Sequence, residues 1–328
     1  MRGSKTVRVK RVSCGAAVLV LIAVSWLLGS CALMKPRVPD AKPEPVAGAV
    51  HIVVVGDPHY PGKSPDRKEA VLRSISEWPD VALVAVVGDL VEDVGRPAEY
   101  ESAKAFFGSL QKPRAFIVGN HDYWYADEKN EGATRLPGTA ATRAEKLDRF
   151  RAAFGMRELY YEKRLGGYRL VFLSADHLTS RHFTEISPAQ LGWLRDELGR
   201  DRNVPTIVFF HAPLQGTLER YDFPDFIAKP DDVIGEILEA NPQVFLWVSG
   251  HVHLSARSAS YPGGDRLYAG RVRSVSVPDL NRWTIWTTSL YLFPDRVEVR
   301  TWNHRWGFWE RHMDLTVLPP AMPAAASS

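Results

Sequence analysis

The sequence predicts an α/β fold with an all-β final part. Over residues 51–249, short apolar, β-branched runs alternate with segments of helical periodicity, the pattern of helices packed on a largely parallel sheet. Beyond residue 257 only strand-like alternating runs follow. Five of the strand-like runs end in His, Asp or Asn. Because ligands bind beyond the carboxyl ends of strands in open α/β sheets, these polar ends predict the position of a functional site.

The predicted strands of the first part are short and apolar, at 51–55, 82–87, 115–118, 168–174, 206–210 and 244–248. Helices are predicted between them at 67–78, 98–110, 142–154, 188–198 and 231–239. The C-terminal strands are predicted at 284–293, 297–302 and 311–317.

Residues 1–31 have the layout of an export signal. Basic residues come first, and an apolar run from Val12 to Gly29 follows. Leu28-Gly29-Ser30-Cys31 then resembles the lipobox of bacterial lipoproteins, in which the cysteine is acylated. The favoured interpretation is therefore a bacterial lipoprotein tethered to a membrane, on the periplasmic or cell-surface face. A retained N-terminal anchor stays open, because the run approaches the length that spans a bilayer, and so does simple secretion.

The rest of the chain is predicted to be one domain with two extended ends. Residues 32–49 are rich in proline and charge and are predicted to be an extended tether; residues 319–328 are predicted to be a disordered tail. The domain between them, 50–318, contains no cysteine and so no disulfide. Without the basic leader its charge is close to neutral, which gives nucleic-acid binding no support.

The polar strand ends form an ordered set of motifs. They are Asp57-Pro58-His59, Gly88-Asp89, Gly119-Asn120-His121-Asp122, His211 and Gly250-His251-Val252-His253. Taken singly, His211 is more often a packed or surface histidine, and the first motif an ordinary turn. Together they supply the donors that two metal ions about 3.5–4 Å apart require: a carboxylate able to bridge, with imidazole and oxygen donors that leave positions for water and phosphate.

This ordered set resembles the calcineurin-like metallophosphoesterase superfamily, whose motifs are D-x-H, G-D, G-N-H-[DE], a single His and G-H-x-H. The resemblance covers most of residues 51–255. It implies two mixed β-sheets packed face to face and flanked by helices, an αββα sandwich. The C-terminal strands would extend the second sheet, and the metals would lie at the sheet edge where the loops meet.

The resemblance also implies a role for each motif residue. The first metal would be held by Asp57, His59, Asp89 and His253, and the second by Asp89, Asn120, His211 and His251, with Asp89 bridging. His121 would lie over the substrate and stabilise the transition state or protonate the leaving alkoxide, and Asp122 would orient and charge it. Mn, Fe, Zn or Ni could each occupy such donors, so metal identity stays open.

The implied reaction is hydrolysis of a small phosphate ester by a hydroxide between the metals, with a slight preference for phosphodiesters, as in the cyclic-nucleotide phosphodiesterase branch. Glu92 stands where phosphatase relatives often carry Asp, and Gly95-Arg96 reverses the Arg-Gly of protein phosphatases, which disfavours that activity. The alternatives are a phosphomonoesterase acting on a nucleotide or sugar phosphate, a non-catalytic surface lipoprotein, and a single-zinc hydrolase. Oligomeric state stays open.

Aromatic residues cluster at two places. Tyr123, Trp124 and Tyr125 follow the third motif, and packing of the insert on the core is favoured over stacking on a substrate. The tryptophans among the C-terminal strands are predicted to be core, as aromatic residues pack well on a sheet face; they are Trp283, Trp286, Trp302, Trp306 and Trp309.

Overall fold

Two large β-sheets form the centre of the protein. The computed structural model describes residues 39–321 except 131, 133, 256 and 265. Within that range the first sheet has seven strands, the second has six, and a two-stranded hairpin stands apart. The predicted fold class, mixed sheets flanked by helices, is confirmed.

The elements follow one another as strand, helix and strand through most of the chain. In chain order the strands are β1 (Val50–Val55), β2 (Val81–Val87), β3 (Arg114–Ile117), β4 (Tyr125–Lys129), β5 (Arg135–Pro137), β6 (Tyr161–Leu165), β7 (Tyr168–Phe172), β8 (Thr206–Phe209), β9 (Val244–Ser249), β10 (Leu267–Tyr268), β11 (Val272–Ser276), β12 (Trp286–Leu292), β13 (Val297–Asn303), β14 (Phe308–Trp309) and β15 (Leu315–Val317). The helices are α1 (Pro65–Glu77), α2 (Pro97–Gly108), α3 (Asn120–Tyr123), α4 (Ala140–Phe154), α5 (Pro188–Arg200) and α6 (Asp231–Glu239).

The sheet order corrects one prediction. The first sheet runs β14-β13-β12-β1-β2-β3, with β15 paired to β13, and the second runs β10-β11-β9-β8-β7-β6. The C-terminal strands β12 to β15 therefore extend the first sheet, not the second, which gains β10 and β11. The physical reason is the free edge of β1: β2 satisfies one side of this strand in parallel, and β12 pairs antiparallel with the other side.

Strand β1 shows how the layers form. Ile52 and Val54 belong to the cluster of buried side chains that joins the inner faces of the two sheets. Val53 and Val55 alternate with them and belong to the cluster that contains the apolar faces of the helices. Because successive side chains of a strand point to opposite faces, a strand buried on both faces has to be apolar throughout.

Some strands gave no clear signal in the sequence. Strand β6 reads YEKRL and lies at the edge of the second sheet, where polar side chains meet water. The strand predicted at 311–317 is half wrong, because Arg311–Met313 is a 3-10 turn and the strand begins at Leu315. The β4–β5 hairpin and β11 were also missed.

The predicted leader, residues 1–31, and most of the predicted tail lie outside the described residues. Of the predicted tether, residues 39–49 carry neither helix nor strand, and Ala41 packs against the core. Among the described helices none has the length and apolar character needed to cross a bilayer.

The C-terminal tryptophans divide into two sets. Trp302 is buried and contacts the half-buried Trp309, with ring centroids 4.9 Å apart. Trp283 and Trp306 are instead 56% and 61% exposed, so the prediction that they are core is wrong. Both lie in connections, before β12 and after β13, where no sheet face covers them.

A buried histidine beside β13 leads to a prediction of pH-dependent stability. His304 stacks on Trp78 at 5.5 Å, and burial lowers its pKa to about 3. Below pH 6.5 the unfolded chain binds a proton here that the folded protein does not, so stability should fall by up to about 1.4 kcal/mol per pH unit. Urea unfolding at pH 7.5, 6 and 5 should show a shallower loss in His304→Phe, which keeps the stack. Equal slopes in the two proteins would contradict this assignment.

Candidate metal centre

The predicted site residues converge at the carboxyl ends of five strands. Asp57 follows β1, Asp89 follows β2 and Asn120 follows β3, all in the first sheet; His211 follows β8, and His251 and His253 follow β9, in the second. Backbone hydrogen bonds join neighbouring loops, from His59 N to Asp89 O and from Gly250 N to His211 O, each at 2.9 Å. The packed sheets thus bring residues almost 200 positions apart to one edge.

The first group of donors consists of Asp57, His59, Asp89 and His253, whose ligand atoms lie within 4.8 Å of one another. The Nε2 atoms of His59 and His253 are 3.2 Å apart, and His253 Nε2 lies 3.5 Å from Asp57 Oδ1. Donors about 2.1 Å from one ion and at right angles are separated by roughly 3 Å. These spacings are close enough for the side chains to share one cation.

The second group contains Asp89, His211 and His251. Nε2 of His211 lies 3.3 Å from Asp89 Oδ1 and 3.1 Å from Asn120 Oδ1, so Asn120 adds an oxygen donor. The other oxygen of Asp89, Oδ2, lies 3.6 Å from His59 Nε2 in the first group. Asp89 therefore presents one oxygen to each group, as a carboxylate between two ions must.

Backbone carbonyls orient two of the imidazoles. His211 Nδ1 is 2.7 Å from Val87 O, and His251 Nε2 is 2.7 Å from Asp225 O. Because a carbonyl only accepts hydrogen bonds, each of these nitrogens carries the hydrogen. The opposite nitrogen keeps its lone pair for a metal.

Burial and charge shift the ionisation of the donors. Burial opposes the charged form of Asp89, but the neighbouring histidines, His211 first, hold its pKa well below the usual range. Burial likewise opposes charge on His211 and His253, yet the nearby carboxylates raise the pKa of each to about 9. Without a metal, protons neutralise the carboxylates, so metal binding has to displace protons from these two rings.

Five of the proposed ligands have left-handed backbone conformations. They are Asp57 (φ 43°), His59 (41°), Asp89 (53°), His251 (66°) and His253 (46°), out of nine described non-glycine residues with positive φ. Each such residue costs about 1–2 kcal/mol. Strain concentrated on these residues indicates that the loops are shaped by what they hold, since nothing in a bare turn would favour Asp or His over Gly at five positions.

The motif glycines make room for the ligands. A Cβ on Gly88 would overlap the His211 ring, and one on Gly250 would overlap the carboxylate of Asp57. Gly88 also has φ +91°, which side-chain-bearing residues rarely adopt. Each of these two glycines therefore leaves space for a proposed ligand from a different motif. Only the folded protein shows this relation.

His121 and Asp122 lie at the site, but their expected contact is not formed. Nδ1 of His121 is 2.6 Å from the carbonyl oxygen of Asp93. The Asp122 carboxylate accepts hydrogen bonds from the backbone N–H groups of Leu90, Val91 and Gly119 instead. This corrects the expectation that Asp122 orients the His121 ring: Asp122 ties together the loops that carry Asp89 and Asn120, because three converging N–H groups satisfy its two oxygens.

Two side chains outside the predicted motifs position ligands. Asp279 Oδ2 lies 3.2 Å from Nδ1 of His253 and so orients that ring. The buried Lys68 donates hydrogen bonds to the carbonyl oxygens of His59 and Pro61, each at 3.0 Å. Asp279 follows strand β11. Had that strand been predicted, Asp279 would have been a candidate site residue, as a polar residue just beyond a strand. Nothing in the sequence indicates the role of Lys68.

The donors fit a pair of metal ions. Asp57, Asp89, Asn120 and His211 are nearly or fully buried, and buried carboxylates need a cation partner. A set of carboxylate, imidazole and amide donors suits Mn, Fe or Zn.

The aromatic residues after the third motif are buried as predicted, and the hydroxyl of Tyr125 lies 3.4 Å from Asn120 Nδ2.

Comparison with known proteins agrees with this geometry. The family model for calcineurin-like phosphoesterases matches residues 50–255. A 3',5'-cyclic-nucleotide phosphodiesterase of Nostoc is 25% identical over 191 residues, which are 57% of this chain and 62% of that protein. The glycerophosphodiester phosphodiesterase GpdQ of Enterobacter lignolyticus is 27% identical over 144 residues, 43% of this chain and 45% of its own. The chain thus spans about half to three fifths of the length of these curated relatives.

A solved structure shares the fold. A dimetal phosphatase from Danio rerio superposes with a TM-score of 0.58 at 15% identity, covering 83% of this chain and 100% of the phosphatase. At that identity the likeness shows the architecture alone, two packed sheets flanked by helices.

Proposed function

This chain belongs to the calcineurin-like phosphoesterase family, and we propose that it hydrolyses a phosphate ester with two metal ions, preferring phosphodiesters. The observation that carries the proposal is the Asp89 carboxylate, which presents Oδ1 to one group of donors and Oδ2 to the other. The preference for diesters is supported by the two curated relatives, both named for diesterase activity.

Two bound ions would supply a nucleophile at neutral pH, by lowering the pKa of a bound water, and would neutralise phosphate oxygens. The chain's own residues determine where this happens. Asp57, His59 and His253 would hold one ion, Asn120, His211 and His251 the other, and Asp89 both. The half-buried rings of His251 and His253 place the open side of the centre toward solvent, where an ester can enter.

The proposal is tested with the purified full-length protein, stripped of metal and refilled with Mn, on bis(p-nitrophenyl) phosphate and p-nitrophenyl phosphate. Metal-dependent turnover with higher kcat/KM for the diester is the expected result. A higher value for the monoester would favour a phosphomonoesterase, and no turnover with any metal would favour a non-catalytic surface protein. Metal analysis separates two ions per chain from a single-zinc site.

His121 is proposed to act on the leaving group. Its ring is T-shaped to His59 at 4.6 Å, beside the donors, and its Nδ1 is occupied by Asp93 O. Nε2 is therefore the atom available to the substrate. His121→Ala should lower kcat by about 10²–10⁴-fold, the usual contribution of a general acid, with the larger loss for a phenyl than for a p-nitrophenyl leaving group. Equal losses for both leaving groups would assign His121 to phosphate binding instead.

We further propose that a lipid on Cys31 tethers the protein to a bacterial membrane, on the periplasmic or cell-surface side. The support is the basic and apolar leader that precedes Leu28-Gly29-Ser30-Cys31. Labelling of cells with radioactive palmitate should mark the protein and leave Cys31→Ser unlabelled. Unlabelled protein that stays in the membrane fraction would favour the retained anchor.

A further inference from the structure

A large cleft opens beside the metal centre and is not used by the chemistry described above. It has a volume of about 1100 Å³, and its wall includes the proposed metal ligand His253. This is slightly larger than the roughly 300–1000 Å³ of pockets that enclose whole small-molecule ligands. A scissile phosphate alone, bound at the metals, would leave most of this space unfilled.

The wall of the cleft carries an exposed aromatic stack. The guanidinium carbon of Arg305 lies 3.5 Å from the ring centroid of Trp283 and 5.2 Å from that of Trp306. Both tryptophans line the cleft, and more than half of each side chain is exposed. Two exposed indoles on the wall of one cleft offer flat faces to a ligand, and any nucleobase can stack on such a ring.

The same wall has free positive charge. Lys63, Arg257 and Arg305 line the cleft, and within residues 39–321, apart from the four positions left out, their cationic groups form no ion pair with a carboxylate. A guanidinium that stacks on indoles keeps its N–H groups free, so it can donate two parallel hydrogen bonds to one oxyanion. The cations are thus available to a ligand.

The carboxylates on the wall are already engaged. Asp279 lies 3.2 Å from His253 Nδ1 and 3.4 Å from Arg282 Nε. Glu310 accepts a hydrogen bond from Asn303 Nδ2 at 2.7 Å. The four Lys and Arg side chains of the wall also outnumber its two carboxylates, so the net charge offered to a ligand is positive and favours a second anionic group.

Resting on the proposed phosphodiesterase function, we propose that this cleft is a substrate subsite for a nucleotide that carries a second phosphate. With the scissile phosphate at the metal centre, the base stacks on Trp283, and the second phosphate binds Arg305 with Arg257 or Lys63. The substrate class is a nucleotide-containing phosphodiester with an additional phosphate, because a simple alkyl diester would use neither the indoles nor the cations.

Isothermal titration calorimetry of the Mn-loaded full-length protein tests this with inorganic phosphate, adenosine 5'-monophosphate and adenosine 3',5'-bisphosphate, each checked as intact by chromatography after the titration. Adenosine 5'-monophosphate adds the nucleoside to inorganic phosphate, and the bisphosphate adds a second phosphate to the monophosphate. We expect each addition to tighten binding about tenfold. Arg305→Gln should remove the advantage of the bisphosphate over the monophosphate and leave phosphate binding unchanged, and Trp283→Ala should remove the advantage of the monophosphate over phosphate.

Conservative and matched variants exclude general damage. Trp283→Phe and Arg305→Lys keep a ring and a charge and should recover part of each advantage, whereas Arg202→Gln, an exposed arginine in the α5–β8 connection, should behave as wild type. Equal affinity of the wild type for the three probes, or variants that change nothing, would overturn the subsite. Failure of the parent proposal looks different: no diester would be hydrolysed, while the binding pattern of the probes would be kept.

Discussion

Asp89→Asn is expected to lose more than about 100-fold in kcat/KM for bis(p-nitrophenyl) phosphate, together with at least one bound metal. Changing a residue that only hydrogen-bonds to a metal ligand already lowers metal affinity or activity about 10- to 100-fold. Asp89 contacts both groups of donors itself, so its loss should be larger. An amide presents one oxygen and a nitrogen that bears two hydrogens, so it cannot donate a lone pair to each ion. Metal analysis and steady-state kinetics on the refilled protein measure both losses.

The matched control is Glu92→Gln, the same carboxylate-to-amide change three residues along, at an exposed side chain. It should retain wild-type metal content and activity. An Asp89→Asn protein that kept two metals and normal turnover would exclude the shared carboxylate, and with it the proposed two-metal mechanism.

Gly250→Ala is expected to damage the first group of donors, although the substituted residue contacts no metal itself. The new methyl group would overlap Asp57 Oδ2. The same carboxylate accepts hydrogen bonds from His251 N at 2.9 and 3.1 Å, so moving away from the methyl group would break them. We expect weaker Mn binding by at least about tenfold and a stability loss of about 1–3 kcal/mol, as for other overpacked sites. Calorimetric Mn titration and urea unfolding measure the two effects.

Gly192→Ala is the control for this substitution. Gly192 lies within helix α5, and a Cβ there would meet no atom within 4 Å. The variant should keep wild-type metal affinity and gain about 0.5–1 kcal/mol of stability, since alanine restricts the unfolded chain more than glycine. If Gly250→Ala bound Mn as tightly as Gly192→Ala does, the Asp57 carboxylate would not be a metal ligand.

Local pattern was sufficient for elements with a strong hydrophobic period, both the strands buried on two faces and the amphipathic helix α6. Helix α6 was predicted at 231–239 and has those bounds, and β1 and β2 were predicted to within one residue. The pattern failed where burial is slight: the edge strand β6, the short β10 and the 3-10 turn at 311–313 have no strong hydrophobic period. Periodicity reports burial, so elements that bury little leave little signal.

The sequence by itself determined which residues are candidate metal donors and that each follows a strand. Five polar motifs, each directly after an apolar strand, place Asp, His and Asn at the carboxyl ends of strands, because parallel strands of a sheet end on the same side. Three of those motifs visibly contain a glycine, but the sequence does not show that this glycine makes room for a residue of another motif.

Only the tertiary structure decided how these residues work together. The sheet to which β12–β15 belong, the pairing of His121 with Asp93 O, the Asp279 contact to His253, and the exposure of Trp283 and Trp306 all depend on contacts between distant segments. Two of these contacts use backbone carbonyls or loop residues without periodicity. Such contacts are set by the relative position of packed sheets, which no local pattern of side chains encodes.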